Sequence, residues 1–380
     1  MQREVLQPPM AKTFYLQCHS CKKQFSTQKI QTYCSCGHIL QSHYDFIQKP
    51  KIRNKSSLWR YLDFLPFESA EPTISLGEGW TPILSCPRMA GALGLQKLMC
   101  KDEGLNPTGS FKARGMAVAI NKAYELGIST CVIPSAGNAG VALSAYGARA
   151  GIQVTIVLPG HTPSKMKDAC SSYGARLVEV DGLLDACGEK AQEIALETGA
   201  FNMATMKEPY RLEGKKTMGL EIGEQLKWKL PDFIIYPTGG GTGLLGIWKA
   251  FMELKALGWI REPFPRMIAV QSANCQPVVD AFYGTGPTPI KASVANGLAV
   301  PVPFAINEIL EVLHESKGMA MSVAEEELME AREVAFKTEG ISMAPEGGAA
   351  VAAARKLKEL DMIKSEQDIL VLNTSSSLTI

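Results

Sequence analysis

The chain has 380 residues, 46% apolar and 20% charged, with a formal net charge of +1. That length predicts two domains, and the composition excludes disordered, fibrous and coiled classes. The balanced charge offers no field for nucleic acid or an anionic membrane, and no run of about 18 apolar residues is long enough to cross a bilayer.

Met1 to Met10 lacks the apolar stretch of a secretion signal. The ten cysteines are too sparse for a disulfide scaffold. Together these features predict a reducing compartment, the cytoplasm, with free or metal-bound thiols.

Residues 12–46 are polar and short of helical periodicity. They carry Cys18-x2-Cys21 and Cys34-x-Cys36. Two thiol pairs from two turns suit a tetrahedral zinc. The second pair is one residue tighter than usual, so His19 or His38 could replace a thiolate, and four free thiols remain the alternative. Leu58 to Leu62 reads as a short helix, and Leu76 to Pro82 as a turn-rich loop leading into a strand. From residue 97 onward the pattern is α/β. Strands are predicted at Val132–Ile133, Val154–Leu158, Arg176–Val180, Phe233–Tyr236, Met267–Val270 and Ile369–Leu372. Helices are predicted at Ala139–Ala150, Lys165–Tyr173, Asp185–Thr198, Leu244–Leu257, Ser322–Glu339 and Glu346–Leu357. Ser322 with Glu325 three residues on looks like the capping pair of its helix. Strands alternating with helices imply mostly parallel sheets with right-handed crossovers.

Three segments carry chemistry. In Asn106-Pro107-Thr108-Gly109-Ser110-Phe111-Lys112, Ser110 is placed to cap a helix starting at Phe111. Lys112 then stands at a helix N-terminus, where the dipole repels cations. The position suits a lysine that must lose its proton and act as nucleophile or base, although a solvated surface lysine would also fit. Thr238-Gly239-Gly240-Gly241-Thr242-Gly243 lies between a strand and a helix, where bare amides can cradle a phosphate. A tight strand–helix turn is the plainer reading. Ser135-Ala136-Gly137-Asn138 also joins a strand to a helix. Its amides could hold a carboxylate, or Asn138 could simply be an N-cap.

In order and spacing, these segments together resemble the fold-type II enzymes of pyridoxal phosphate (PLP), and within them the threonine synthase family. Lys101 to Gly104, Pro209 to Thr217 and Pro345 to Gly347 add to the likeness, which runs from about Leu76 to Leu378. The resemblance implies an α/β, two-domain fold with mostly parallel sheets and a small N-terminal zinc-ribbon-like knuckle. The knuckle would span 12–46, with Cys18, Cys21, Cys34 and Cys36 as ligands of a structural zinc. The larger, PLP-binding domain would span 47–125 and 220–380, and the smaller, inserted domain 126–219.

The family further implies that Lys112, after Phe111, carries PLP as a Schiff base and shuttles protons. Asn138 would bond the ring oxygen, and Thr374 the pyridine nitrogen. Gly239, Gly240, Gly241, Thr242 and Gly243 would hold the cofactor phosphate. Arg211 would meet the substrate phosphate, and Ser135 and Gly137 the substrate carboxylate. The implied reaction converts O-phospho-L-homoserine and water to L-threonine and phosphate, in a homodimer.

The sequence departs from that pattern in several places. Ala136 and Ala139 stand where many synthases have Ser and Thr, Thr205 where an Asn is expected, and Ala113 where many have Asp. Thr374-Ser375-Ser376-Ser377 replaces a Thr-Gly-Ser-Gly turn. The Ser-Ala-Gly-Asn turn and Phe-Lys-Ala-Arg-Gly also resemble threonine and serine dehydratases. A dehydratase-type lyase is therefore one alternative, and a non-catalytic binding protein on the same fold is another.

Overall fold

The computed structural model describes residues 12–67 and 73–378. Met1 to Met10, read above as lacking a signal, lies outside the described residues.

The N-terminal segment is a small antiparallel sheet. Strands β1 (Lys12–Cys18), β2 (Gln24–Phe25) and β3 (Leu40–Phe46) pair in the order β2-β1-β3. Phe14, Leu16 and Cys18 alternate inward along β1, the period of a half-buried strand.

Two mainly parallel sheets follow. Strands β4 (Ile83–Ser85) and β5 (Leu98–Asp102) belong to the larger one. Strands β6 (Thr130–Pro134), β7 (Gln153–Pro159), β8 (Arg176–Val180) and β9 (Phe201–Asn202) form a parallel sheet in the order β8-β7-β6-β9. Strands β10 (Phe233–Pro237), β11 (Arg266–Ser272), β12 (Met319–Val323) and β13 (Ile369–Asn373) complete the six-stranded sheet, ordered β12-β11-β10-β13-β5-β4. Only its edge pair, β4 with β5, is antiparallel. The inner strands are buried on both faces, as runs such as Phe233-Ile234-Ile235-Tyr236 require.

Three helices position the site: Lys112–Glu125, Tyr210–Gln225 and Thr242–Ala256. The first two cross at backbone contact. A Cβ on Gly214 would stand 2.1 Å from the carbonyl oxygen of Arg114, so only glycine fits there. Helix Tyr210–Gln225 was not anticipated. It is buried nearly all round and shows no single apolar stripe.

Two expectations about helix starts are corrected. Ser322 lies in β12, and the helix beyond it runs Glu325–Glu339. Its cap is the Ala324 N–H, which donates to Glu327 at 2.7 Å. The lysine helix starts at Lys112, with Phe111 as its cap residue. The Ser110 hydroxyl only approaches the Lys112 N–H, at 3.4 Å. Among the described residues no helix is long and apolar enough to cross a membrane.

Candidate active site

The chemistry-bearing segments converge because each follows the C-terminal end of a parallel strand, where α/β sheets place ligands. Asn138 follows β6, the glycine loop follows β10, and Thr374 follows β13. The stretch leading to Lys112 follows β5. In the larger sheet β5, β13 and β10 are consecutive neighbours. The Phe111 N–H donates to the Thr374 carbonyl at 3.0 Å, and Ser110 bridges to Ser375. The lysine is thereby stitched to the end of β13.

One narrow cleft of about 50 Å³ results, lined by Phe111, Lys112, Asn138, the loop Gly239–Gly243 and Thr374. Thr205, Tyr236 and Glu346 also line it. Ser135, Gly137 and Arg211 stand outside this lining. The Lys112 ammonium sits 4.3 Å from the Phe111 ring centre. Loss of water inside the cleft pushes its amine down to about 8, helped by the Arg211 guanidinium and opposed by Glu346.

Beneath the cleft lies a buried ion network. The guanidinium of Arg114 donates twice to Glu103, at 2.5 and 2.7 Å, and twice to Glu221, at 2.6 and 2.7 Å. The Lys101 ammonium donates to Glu221 at 2.7 Å. Such paired forks fix the Lys112 helix in both rotation and depth.

Arg211 opens the Tyr210–Gln225 helix. Its N–H donates to Glu208 at 3.1 Å, and one guanidinium nitrogen donates to the Met203 carbonyl at 2.6 Å. Its Nε is buried and has no hydrogen-bond partner among the described residues. On the same helix Lys215 is fully buried and donates to the Phe111 carbonyl. Burial, then the neighbouring Lys112, holds its amine well below the ordinary lysine range. Arg211 and Lys215 therefore approach the Lys112 amine from one helix. Ser135 organises its own turn, accepting from the Gly140 N–H at 2.9 Å.

The cleft suits PLP. Gly241, with φ +76°, ends the loop at the start of helix Thr242–Ala256, leaving amides at a helix N-terminus for a phosphate. A Cβ on Gly243 would stand 1.7 Å from the Tyr236 hydroxyl. That hydroxyl and Glu346 Oε2 line the cleft, yet neither has a hydrogen-bond partner among the described residues. Buried polar atoms of this kind call for a polar occupant. No motif marked Tyr236 or Glu346 in the sequence. Tyr236 is a strand residue, and Glu346 was noted only within Pro345-Glu346-Gly347.

The four N-terminal thiols come together as the cysteine spacing suggested. Their sulfurs lie within 4.8 Å of one another, with Cys18–Cys36 at 3.4 Å and Cys21–Cys34 at 3.6 Å. Tetrahedral zinc with bonds of about 2.3 Å needs sulfurs about 3.8 Å apart, so the cluster fits that ion. The histidines serve elsewhere: His19 meets Glu311 at 2.7 Å, and His38 faces Glu308 at 3.8 Å.

The sequence matches the family described as pyridoxal-phosphate dependent enzyme over residues 74–375, and the chain belongs to that family. The threonine synthase of Methanocaldococcus jannaschii is 33% identical over 373 residues, which cover 95% of this chain and 92% of the relative. That of Methanosarcina acetivorans is 35% identical over 376 residues, covering 96% and 92%. Maize serine racemase shares the fold with a TM-score of 0.68 at 22% identity, covering 78% of this chain and 87% of that one. The protein is a PLP-dependent lyase of threonine synthase-like kind.

Proposed function

We propose that the protein converts O-phospho-L-homoserine and water to L-threonine and phosphate. The observation that carries this reading is the buried Arg211 Nε, which has no hydrogen-bond partner among the described residues, the Glu208 carboxylate standing 3.9 Å away. A buried donor left unpaired is costly, and the substrate's phosphate would satisfy it. The threonine synthase relatives support the same reading.

PLP, when bound, supplies the electron sink for carbanions at the substrate. Lys112 would hold the cofactor's carbonyl carbon and, once released, move protons at the substrate α- and β-carbons. An amine brought down to about 8 suits that proton traffic. Asn138 would hold the ring oxygen, Thr374 the ring nitrogen, and Gly239–Gly243 with Thr242 the cofactor phosphate. The turn Ser135–Gly137 would take the substrate carboxylate. Phosphate leaves from the γ-carbon, and water adds at the β-carbon.

A second reading, a dehydratase acting on a hydroxy amino acid, is favoured by Ala136 and Ala139, which offer no hydroxyl to a substrate phosphate. Two assays on PLP-loaded enzyme separate them. Phosphate and threonine released together from O-phosphohomoserine support the first reading. An oxo-acid formed from L-threonine with no phosphate release supports the second, and silence in both assays rejects both.

The domain division expected above belongs to this proposal. All strands of the six-stranded sheet fall within 47–125 and 220–380, and all strands of the four-stranded sheet fall within 126–219. A structural zinc on Cys18, Cys21, Cys34 and Cys36 and a homodimer complete it.

A further inference from the structure

A groove of about 540 Å³ runs between the N-terminal sheet and the helices Thr242–Ala256 and Ile306–Glu315. It shares no lining residue with the PLP cleft. Its volume lies in the range that holds a small organic ligand.

The sheet side of the groove is aromatic. The rings of Tyr15 and His43 stack at 5.4 Å and 15°, and Tyr44 stacks on Phe46 at 5.8 Å and 22°. Burial and the nearby Lys249 hold His43 down to about 4, so it presents an uncharged ring at neutral pH. Trp248 lines the groove from helix Thr242–Ala256.

The other side is acidic. Glu308, Glu311 and Glu315 fall on one face of their helix by their spacing, and all three line the groove. Among the described residues none of them pairs with a lysine or arginine. Glu311 meets only His19, and Glu315 accepts from the Trp248 N–H at 2.8 Å. Glu308 is 3% exposed, and its Oε1 has no hydrogen-bond partner among the described residues. The groove's lysine, Lys249, is held on the sheet side, where it donates to Glu213 and the Ser42 carbonyl, lies 5.5 Å from the Tyr44 ring centre and pairs with Glu253 at 3.7 Å. The nearest basic group to that Glu308 oxygen is the His38 ring at 3.8 Å, beyond hydrogen-bond reach. A buried carboxylate oxygen without a hydrogen bond, beside aromatic faces, matches a cation carrying an apolar body.

We propose that this groove is a ligand site for an organic cation with a flat apolar body, its charge set toward Glu308 and Glu311 and its ring against the aromatic wall. The site stands apart from the PLP chemistry and needs no particular substrate there.

Benzyltrimethylammonium is a suitable probe, because it has no primary amine to react with PLP. Calorimetric titration of the PLP-loaded enzyme is expected to show one saturable site, and benzenesulfonate, of like size and opposite charge, no binding. Glu311→Gln combined with Glu315→Gln, both exposed positions, is expected to weaken the probe by about tenfold. The melting temperature and the visible absorbance of lysine-bound PLP should not change. No saturable binding, equal affinity in the variant, or equal binding of benzenesulfonate overturns the proposal. If a second copy of the chain covers the groove instead, the wild type does not bind the probe and the same substitutions alter its sedimentation. That result also overturns it.

Discussion

Lys112 keeps its proton less firmly than a solvated lysine because its end group is stripped of water and faces Arg211, with Glu346 opposing. Only the neutral amine attacks a carbonyl, so the rate at which the cofactor-free enzyme captures PLP is expected to climb through pH about 8 and then level. Stopped-flow absorbance over a pH series measures that midpoint. Replacing Arg211 with Ala removes a repelling cation and should move the midpoint upward. An unmoved midpoint would mean that burial alone sets it. The stability sign follows from the same shift. The folded amine, at about 8, binds its proton more weakly than the unfolded one at 10.5, so this group adds stability as pH rises between those values. Arg211→Ala is also expected to raise KM for O-phosphohomoserine at least about tenfold while changing inhibition by L-threonine little, since a charge-assisted contact to phosphate is worth about 1.5–3 kcal/mol. Equal effects on both ligands would remove Arg211 from substrate-phosphate binding.

Among the elements, the crossing of helices Lys112–Glu125 and Tyr210–Gln225 sets the distance between Lys112 and the side chains of Arg211 and Lys215. Gly214→Ala drives a methyl into the Arg114 carbonyl. The helices must then part, which is expected to cost about 1–3 kcal/mol in urea unfolding and to lower kcat. Unchanged kcat with lowered stability would show that the crossing serves packing alone. The sequence disclosed the alternating strands and helices well, because buried parallel strands such as Val154–Leu158 are continuous β-branched runs and their partner helices carry periodic small residues. It disclosed Lys112, Asn138 and the glycine loop because turn chemistry between strand and helix is local. It did not disclose helix Tyr210–Gln225. There Arg211, Glu213, Lys215, Lys216 and Glu221 are buried and mostly paired with residues far along the chain, so no local polarity pattern survives. Ser322 misled for the opposite reason. It looks like a cap locally, but its place in β12 is set by pairing with Gln271.

Over the whole molecule, the N-terminal sheet is bolted to the rest by polar contacts. The buried Lys12 ammonium donates to the carbonyls of Leu62 and Asp63 at 3.0 and 2.7 Å, and the Tyr44 hydroxyl donates to Glu213 at 2.5 Å. If zinc holds the thiol cluster, purified protein should carry about one zinc per chain, and Cys18→Ser with Cys34→Ser should abolish it. Elemental analysis decides this. The metal-free variant is expected to melt lower yet keep its PLP absorbance, since the cluster supplies none of the cleft lining. Zinc retained in the double variant would move the site elsewhere. The order of strands around the PLP cleft has a further consequence, for synthesis. Strand β13 lies between β5 and β10, although those two are made far earlier. A growing chain cannot close the centre of its sheet until residues 369–374 have emerged, so β5 and β10 each keep an unpaired edge until then, and the cleft that needs Thr374 is completed late in synthesis.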